Sequence, residues 1–234
     1  MPIEEFLDLN KSAGLLTSMD AFQRVRWAYA TFGEGLVSST SGGKHSALLP
    51  DIVRRAFQQA DYNPLPQVPV IFINTGYYTE ETLAMVKQLS KSGVYIATVI
   101  PKISWEQATK QHPSWQQDGS PDKLEVEWAI KQEPLNRAFA DLQASAWMSA
   151  VRADQTENRA GMHFIEYDSE RKLYLFHPIL DWTKEMVESY EREHGLPVNK
   201  NHRDLLKDSS PRLECGLHVR KNQLERSTSA QQTL

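Results

Sequence analysis

Apolar positions recur at helical spacing through residues 19–32 (MDAFQRVRWAYATF), which predicts an amphipathic helix capped by Ser18. Residues 35–39 (GLVSS) form a short strand that runs straight into Thr40, Ser41, Gly42, Gly43 and Lys44. A helix is expected from that loop to about Ala60, starting near Pro50 or kinked ahead of it. Residues 68–74 (VPVIFIN) are almost continuously apolar, the pattern of a parallel strand covered on both faces. Thr79 caps a helix over 80–92, and Glu80 and Glu81 suit its positive end. Residues 93–99 (GVYIATV) make a third strand. This alternation predicts an α/β fold, a mostly parallel sheet with helices on both faces.

Two helical stretches follow, 122–131 and 134–143, and then an apolar strand over 146–151. Residues 165–167 and 173–176 read as a hairpin across Asp168, Ser169, Glu170 and Arg171. Thr183 starts a helix that ends near His194 and Gly195, with Pro197 just beyond. From Val198 onward no apolar period survives, so the chain divides into a folded unit, 1–197, and a mobile C-terminal tail, 198–234.

Composition narrows the function. The 234 residues carry 26 Lys and Arg against 30 Asp and Glu, a net charge of −4, which argues against non-specific nucleic-acid binding. No apolar run is long enough for a membrane span, and the acidic N-terminus (MPIEEFLDLNKSAG) has no signal-peptide core, so a cytoplasmic protein is expected. One cysteine, Cys215, excludes an internal disulfide, a CxxC pair and a four-cysteine iron–sulfur or zinc site. The histidines at 45, 112, 163, 177, 194, 202 and 218 show no ligand spacing, so no metal is expected.

Four features can carry chemistry. The stretch Ser38, Ser39, Thr40, Ser41, Gly42, Gly43 at a strand-to-helix turn offers free N–H groups and hydroxyls to an anion, without the spacing of a Walker loop. Asn74, Thr75, Gly76 and Tyr77 end the second long strand and border the same crevice, though they also suit an ordinary turn. Arg152 and Arg159 follow the strand at 146–151 and suit bidentate binding of phosphate or sulfate, where a solvated loop is the commoner use. Lys131 is either another anion contact or plain surface. The fourth feature is Cys215, between Glu214 and Gly216. Arg212, His218, Arg220 and Lys221 around it favour a reactive thiolate over a passive thiol.

Together these stretches resemble the thioredoxin-dependent 3′-phosphoadenylyl-sulfate reductases. The matching pieces are the serine loop, Asn-Thr-Gly-Tyr with Glu81 and Thr82, and Lys131 ahead of Glu133-Pro134-Leu135-Asn136-Arg137. Arg152, Gln155 and Arg159 follow, then His177-Pro178-Ile179-Leu180-Asp181-Trp182 and the most specific piece, Glu214-Cys215-Gly216-Leu217-His218. The resemblance implies an adenine nucleotide α-hydrolase-like, Rossmann-like fold. It implies that the Cys215 thiolate attacks the sulfur of 3′-phosphoadenylyl sulfate (PAPS) and expels adenosine 3′,5′-bisphosphate, leaving an S-sulfocysteine from which reduced thioredoxin, or glutaredoxin, releases sulfite. The serine loop, Asn74–Gly76, Lys131, Arg152, Arg159 and His218 would then bind substrate. No bound cofactor and a homodimer are expected by the same resemblance.

Lacking cysteines for a cluster, the chain is expected to prefer PAPS over adenylyl sulfate (APS), although cluster-free APS reductases exist in the family. Ser41-Gly42-Gly43-Lys44-His45-Ser46 also approaches the Ser-Gly-Gly-x-Asp-Ser loop of ATP pyrophosphatases, with His45 in place of the aspartate. That leaves an ATP pyrophosphatase-like relative, or a nucleotide-binding protein without reductase turnover, as alternatives.

Overall fold

The computed structural model describes residues 7–117, 120–202 and 204–208. Among them the chain forms one six-stranded sheet in the order β3-β2-β1-β4-β6-β5. The strands are β1 (Leu36–Thr40), β2 (Val70–Ile73), β3 (Ile96–Val99), β4 (Ala146–Met148), β5 (Ile165–Asp168) and β6 (Leu173–Phe176). Every pairing is parallel except β5 with β6, the hairpin expected from sequence.

Side-chain alternation along the strands feeds two apolar layers. On one face Leu36, Ala146, Met148, Tyr174 and Phe176 pack with α2 (Ala21–Phe32), α3 (Leu48–Gln58) and α9 (Lys184–Glu193). On the other, Val37, Ile71, Ile73, Trp147 and Leu175 meet Leu135, Ala138 and Phe139 of α7 (Glu133–Asp141). Both faces are thus covered by helices, as the near-continuous apolar run of β2 requires.

Several boundaries differ from the sequence reading for local reasons. Ser18 does not cap α2; it closes a preceding helix, α1 (Leu9–Thr17), and its hydroxyl donates to Leu15 O at 2.7 Å. Asp20 caps α2 instead, in a reciprocal capping box with Gln23. α3 starts at Leu48 with Pro50 in its first turn, where a missing N–H costs nothing. The two helices expected over 122–143 are continuous: α6 (Pro121–Glu127) passes through a π-helical turn, Trp128–Gln132, into α7. α4 (Glu80–Lys91) and α9 carry the expected caps, Thr79 and Thr183. Short helices also lie between β3 and α6, α5 (Trp105–Gln111), and between β4 and β5, α8 (Glu157–Ala160).

The tail expected to leave the fold at 198 does not do so at once. Asn199, Asp204 and Leu206 are all buried, and Leu206 sits among Ala108, Val126 and Ile130.

Candidate active site

The strand order reverses at β1: the chain lays β2 and β3 on one side, then returns to place β4 on the other. In open parallel sheets the ligand crevice lies at the carboxyl ends of the strands at such a reversal. β1 delivers Ser39, Thr40 and Ser41 to this edge, β2 delivers Asn74 and Thr75, β4 leads to Ser149 and Arg152, and β6 ends in His177.

The serine loop is held from behind. Trp147 Nε1 donates to Ser39 Oγ at 2.9 Å, and the Gly42 N–H donates to Thr40 Oγ1 at 3.2 Å. Gly42 takes φ +69°, and a Cβ there would lie 2.7 Å from Thr82 Cγ2 and 3.0 Å from Thr82 O in α4. Asn199 Nδ2 donates to Gly42 O at 2.8 Å, and Thr82 Oγ1 lies 3.2 Å from His202 Nδ1. Gly42→Ala combines a left-handed backbone with a clash against the Thr82 methyl, a cost of about 1–3 kcal/mol. Calorimetry should therefore show the melting midpoint lowered by roughly 5 °C; a change below about a degree would mean the loop gives way freely.

Lys131 is not surface. It lies in the π turn, closed by the Glu133 N–H donating to Trp128 O, and is 3% exposed. Its Nζ is 2.6 Å from Asp204 Oδ2, and Tyr77 OH donates to Asp204 Oδ1 at 2.7 Å. Burial alone would raise the Asp204 carboxyl, but the charge of Lys131 and the two hydrogen bonds outweigh it, so Asp204 titrates below its usual range. Burial, with Tyr78 and Asp204 beside it, pushes the Tyr77 phenol far up and keeps it a donor. Ser39, Thr40, Ser41, Tyr78, Lys131 and Asp204 line a cavity of about 10 Å³ floored by Ile71, Ile73 and Leu135, room for roughly one water.

The arginine loop sits beyond β4. Arg152 and Arg159 are both buried, with Arg152 Nε donating to Asp154 Oδ1 at 2.9 Å and Arg159 donating to Gln155. Ser149 Oγ and His177 Nδ1 are 2.9 Å apart and join the ends of β4 and β6. Burial first, and the nearby Arg159 second, lower His177 to about 3, so its ring is neutral at neutral pH.

The cavity thus brings together Ser39, Thr40, Ser41 and Lys131 from the sequence-derived set, with Gly42 and Gly43 in the same loop. Ser38 lies within β1, and its Oγ faces Pro69 O at 3.5 Å, away from the loop. Asn74 Oδ1 accepts from the Gly76 N–H at 3.4 Å, so Asn74, Thr75 and Gly76 form a turn beside the cavity without lining it. Arg152 and Arg159 share the edge but not the cavity wall. Cys215 and His218 fall outside the described residues. Tyr77, expected at the crevice from sequence, is joined by Thr82, Asn199, His202 and Asp204, which no spacing announced, although Thr82 stands inside a quoted motif. Among the described residues, no group of three or more His, Cys, Asp or Glu side chains is placed to hold a metal ion.

Residues 35–204 match the phosphoadenosine phosphosulfate reductase domain family. A phosphoadenosine 5′-phosphosulfate reductase of Synechococcus is 30% identical, over 87% of this chain and 94% of that protein. An adenosine 5′-phosphosulfate reductase of Halalkalibacterium halodurans is 27% identical, over 84% and 80%. The crystal structure of a Candida auris PAPS reductase in complex with phosphate superposes with a TM-score of 0.66 at 22% identity, over 82% of this chain and 87% of that one.

Proposed function

Since the chain belongs to the phosphoadenosine phosphosulfate reductase family, we propose that it reduces PAPS to sulfite and adenosine 3′,5′-bisphosphate. The observation that carries this reading is the meeting of the serine loop with the buried Lys131 in one cavity at the carboxyl end of β1.

In this reading the loop N–H groups and the hydroxyls of Ser39, Thr40 and Ser41 receive a phosphate. Lys131, Arg152 and Arg159 offset the charge that builds on the leaving phosphate oxygen. Residues 1–197, with the buried Asn199 and Asp204, hold the nucleotide, and Cys215 in the remainder of the chain supplies the nucleophile. The Cys215 thiolate forms a bond to the sulfate sulfur as the sulfur–oxygen bond to the phosphate breaks, and the electron pair leaves on adenosine 3′,5′-bisphosphate. A thiolate of reduced thioredoxin then attacks the sulfur of Cys215 and expels sulfite. The second thioredoxin thiol resolves the mixed disulfide and returns Cys215. Thioredoxin supplies both electrons, which suits a chain with a single cysteine and a reducing compartment such as the cytoplasm.

One cysteine cannot supply a four-cysteine cluster, which favours PAPS over APS here. His45 Nδ1 lies 2.8 Å from Glu191 Oε1, and Lys44 Nζ lies 3.2 Å from Glu188 Oε1. Both loop side chains turn to α9, which disfavours an ATP pyrophosphatase role for the loop.

Incubating the full chain with PAPS or APS, without reductant, and recording intact mass tests the reading. The expected result is one added sulfonate from PAPS, removed by reduced thioredoxin with release of sulfite. No adduct and no sulfite, despite binding of adenosine 3′,5′-bisphosphate, would overturn it in favour of a nucleotide-binding protein.

A further inference from the structure

Arg171, in the turn of the β5–β6 hairpin, belongs to no motif, and its side-chain hydrogen bonds go to Asp168, Asn136 and Gln132 and to neither the serine loop nor Lys131. Its side chain is nevertheless 8% exposed, and its guanidinium is held by the fully buried carboxylate of Asp168, with NH1 donating to Oδ2 at 2.9 Å. The remaining nitrogens reach across to the helix that carries Lys131. Nε donates to Asn136 Oδ1 at 3.0 Å, and NH2 donates to Gln132 Oε1 at 2.5 Å. Gln132 is the residue after Lys131 and the last of the π turn.

Gln132 and Asn136 stand four residues apart, on one helical face. Successive residues of a helix point about 100° apart. Fixing the face of 132 and 136 against the hairpin therefore fixes the direction of residue 131 as well. The π turn makes this necessary, because it is a one-residue expansion that a regular helix would absorb by slipping its register. A planar, rigid guanidinium is the side chain able to grip two acceptors one turn apart while its third edge is locked on a carboxylate.

We propose that Arg171 is a positioning residue: it clamps Gln132 and Asn136, holds the π turn open and so aims the Lys131 ammonium into the crevice. Its effect on ligand binding passes through Lys131 alone. The binding part of this inference rests on the crevice being the nucleotide site; the clamp itself does not.

Arg171→Lys keeps a cation opposite Asp168, so the hairpin folds, but it loses the fork; Gln132→Met removes one acceptor from the other side. Hydrogen exchange on the ligand-free chain should quicken roughly 10-fold or more for the amides of Trp128–Gln132 in both variants, with β5 and β6 unchanged. Titration calorimetry with adenosine 3′,5′-bisphosphate should show each variant weakening binding about 10-fold in the wild-type background and less than two-fold beside Lys131→Met/Asp204→Leu. Unaltered exchange in the π turn overturns the clamp. An equal loss of affinity in both backgrounds overturns the route through Lys131 and leaves Arg171 a structural residue. If the wild type binds no bisphosphate, the functional reading falls, and the exchange measurement alone decides the clamp.

Discussion

Replacing Cys215 with serine should lower sulfite release by roughly four orders of magnitude or more, while adenosine 3′,5′-bisphosphate binds as before. The argument is chemical. In the proposed mechanism the sequence neighbours Arg212, His218, Arg220 and Lys221 favour the thiolate of Cys215, whereas a serine hydroxyl stays protonated and attacks poorly. Even a sulfated serine would be a dead end, because thioredoxin needs a sulfur–sulfur bond to attack. Sulfite assays under single-turnover conditions, paired with intact mass, read both steps. Turnover by Cys215→Ser at even a hundredth of the wild-type rate would end the covalent mechanism.

Lys131→Met should be the next most damaging change, in two separable ways. It removes a buried cation from the wall of the crevice, a loss of about 10²–10³-fold in kcat/KM by analogy with removing one charge-stabilising donor. It also strands Asp204, which is 5% exposed, with the Tyr77 hydroxyl in place of its cation. Breaking a buried pair from one side costs about 3–5 kcal/mol. Adding Asp204→Leu should restore most of that stability, as measured by denaturant unfolding, and none of the activity. If the double variant also recovered turnover, Lys131 would be a structural cation and not a substrate ligand.

Much of the scaffold was legible because its signals are local. The apolar run of β2, the Thr79 and Thr183 caps and the hairpin turn at Asp168 each declare themselves within a few residues. α1 went unread because Leu9, Leu15 and Leu16 give its nine residues a thin apolar stripe, interrupted by Gly14. With α1 unseen, Ser18 looked like the start of α2 instead of the end of its predecessor. The position of the serine loop was readable for the same local reason as the caps, since small residues directly after a buried strand mark a turn at its carboxyl end.

Asp204 was not readable. A lone aspartate in a polar stretch has no pattern, and only the fold sets it 2.6 Å from Lys131, 73 positions away. Lys131 shares that difficulty: its flanking motif names it, but burial depends on a π turn that no periodicity announces.

The Lys131–Asp204 contact changes what binding at this crevice means. Any anion that reaches Lys131 meets an ammonium already neutralised, inside a space with room for roughly one water. In the proposed reading occupancy would be a trade, one negative group for another on a fixed positive one, and the affinity would be the small difference between two large ion-pair energies. On that reading the site would act as an ion exchanger of a single equivalent, its selectivity set as much by how tightly it holds its own counter-ion as by how well it fits the guest.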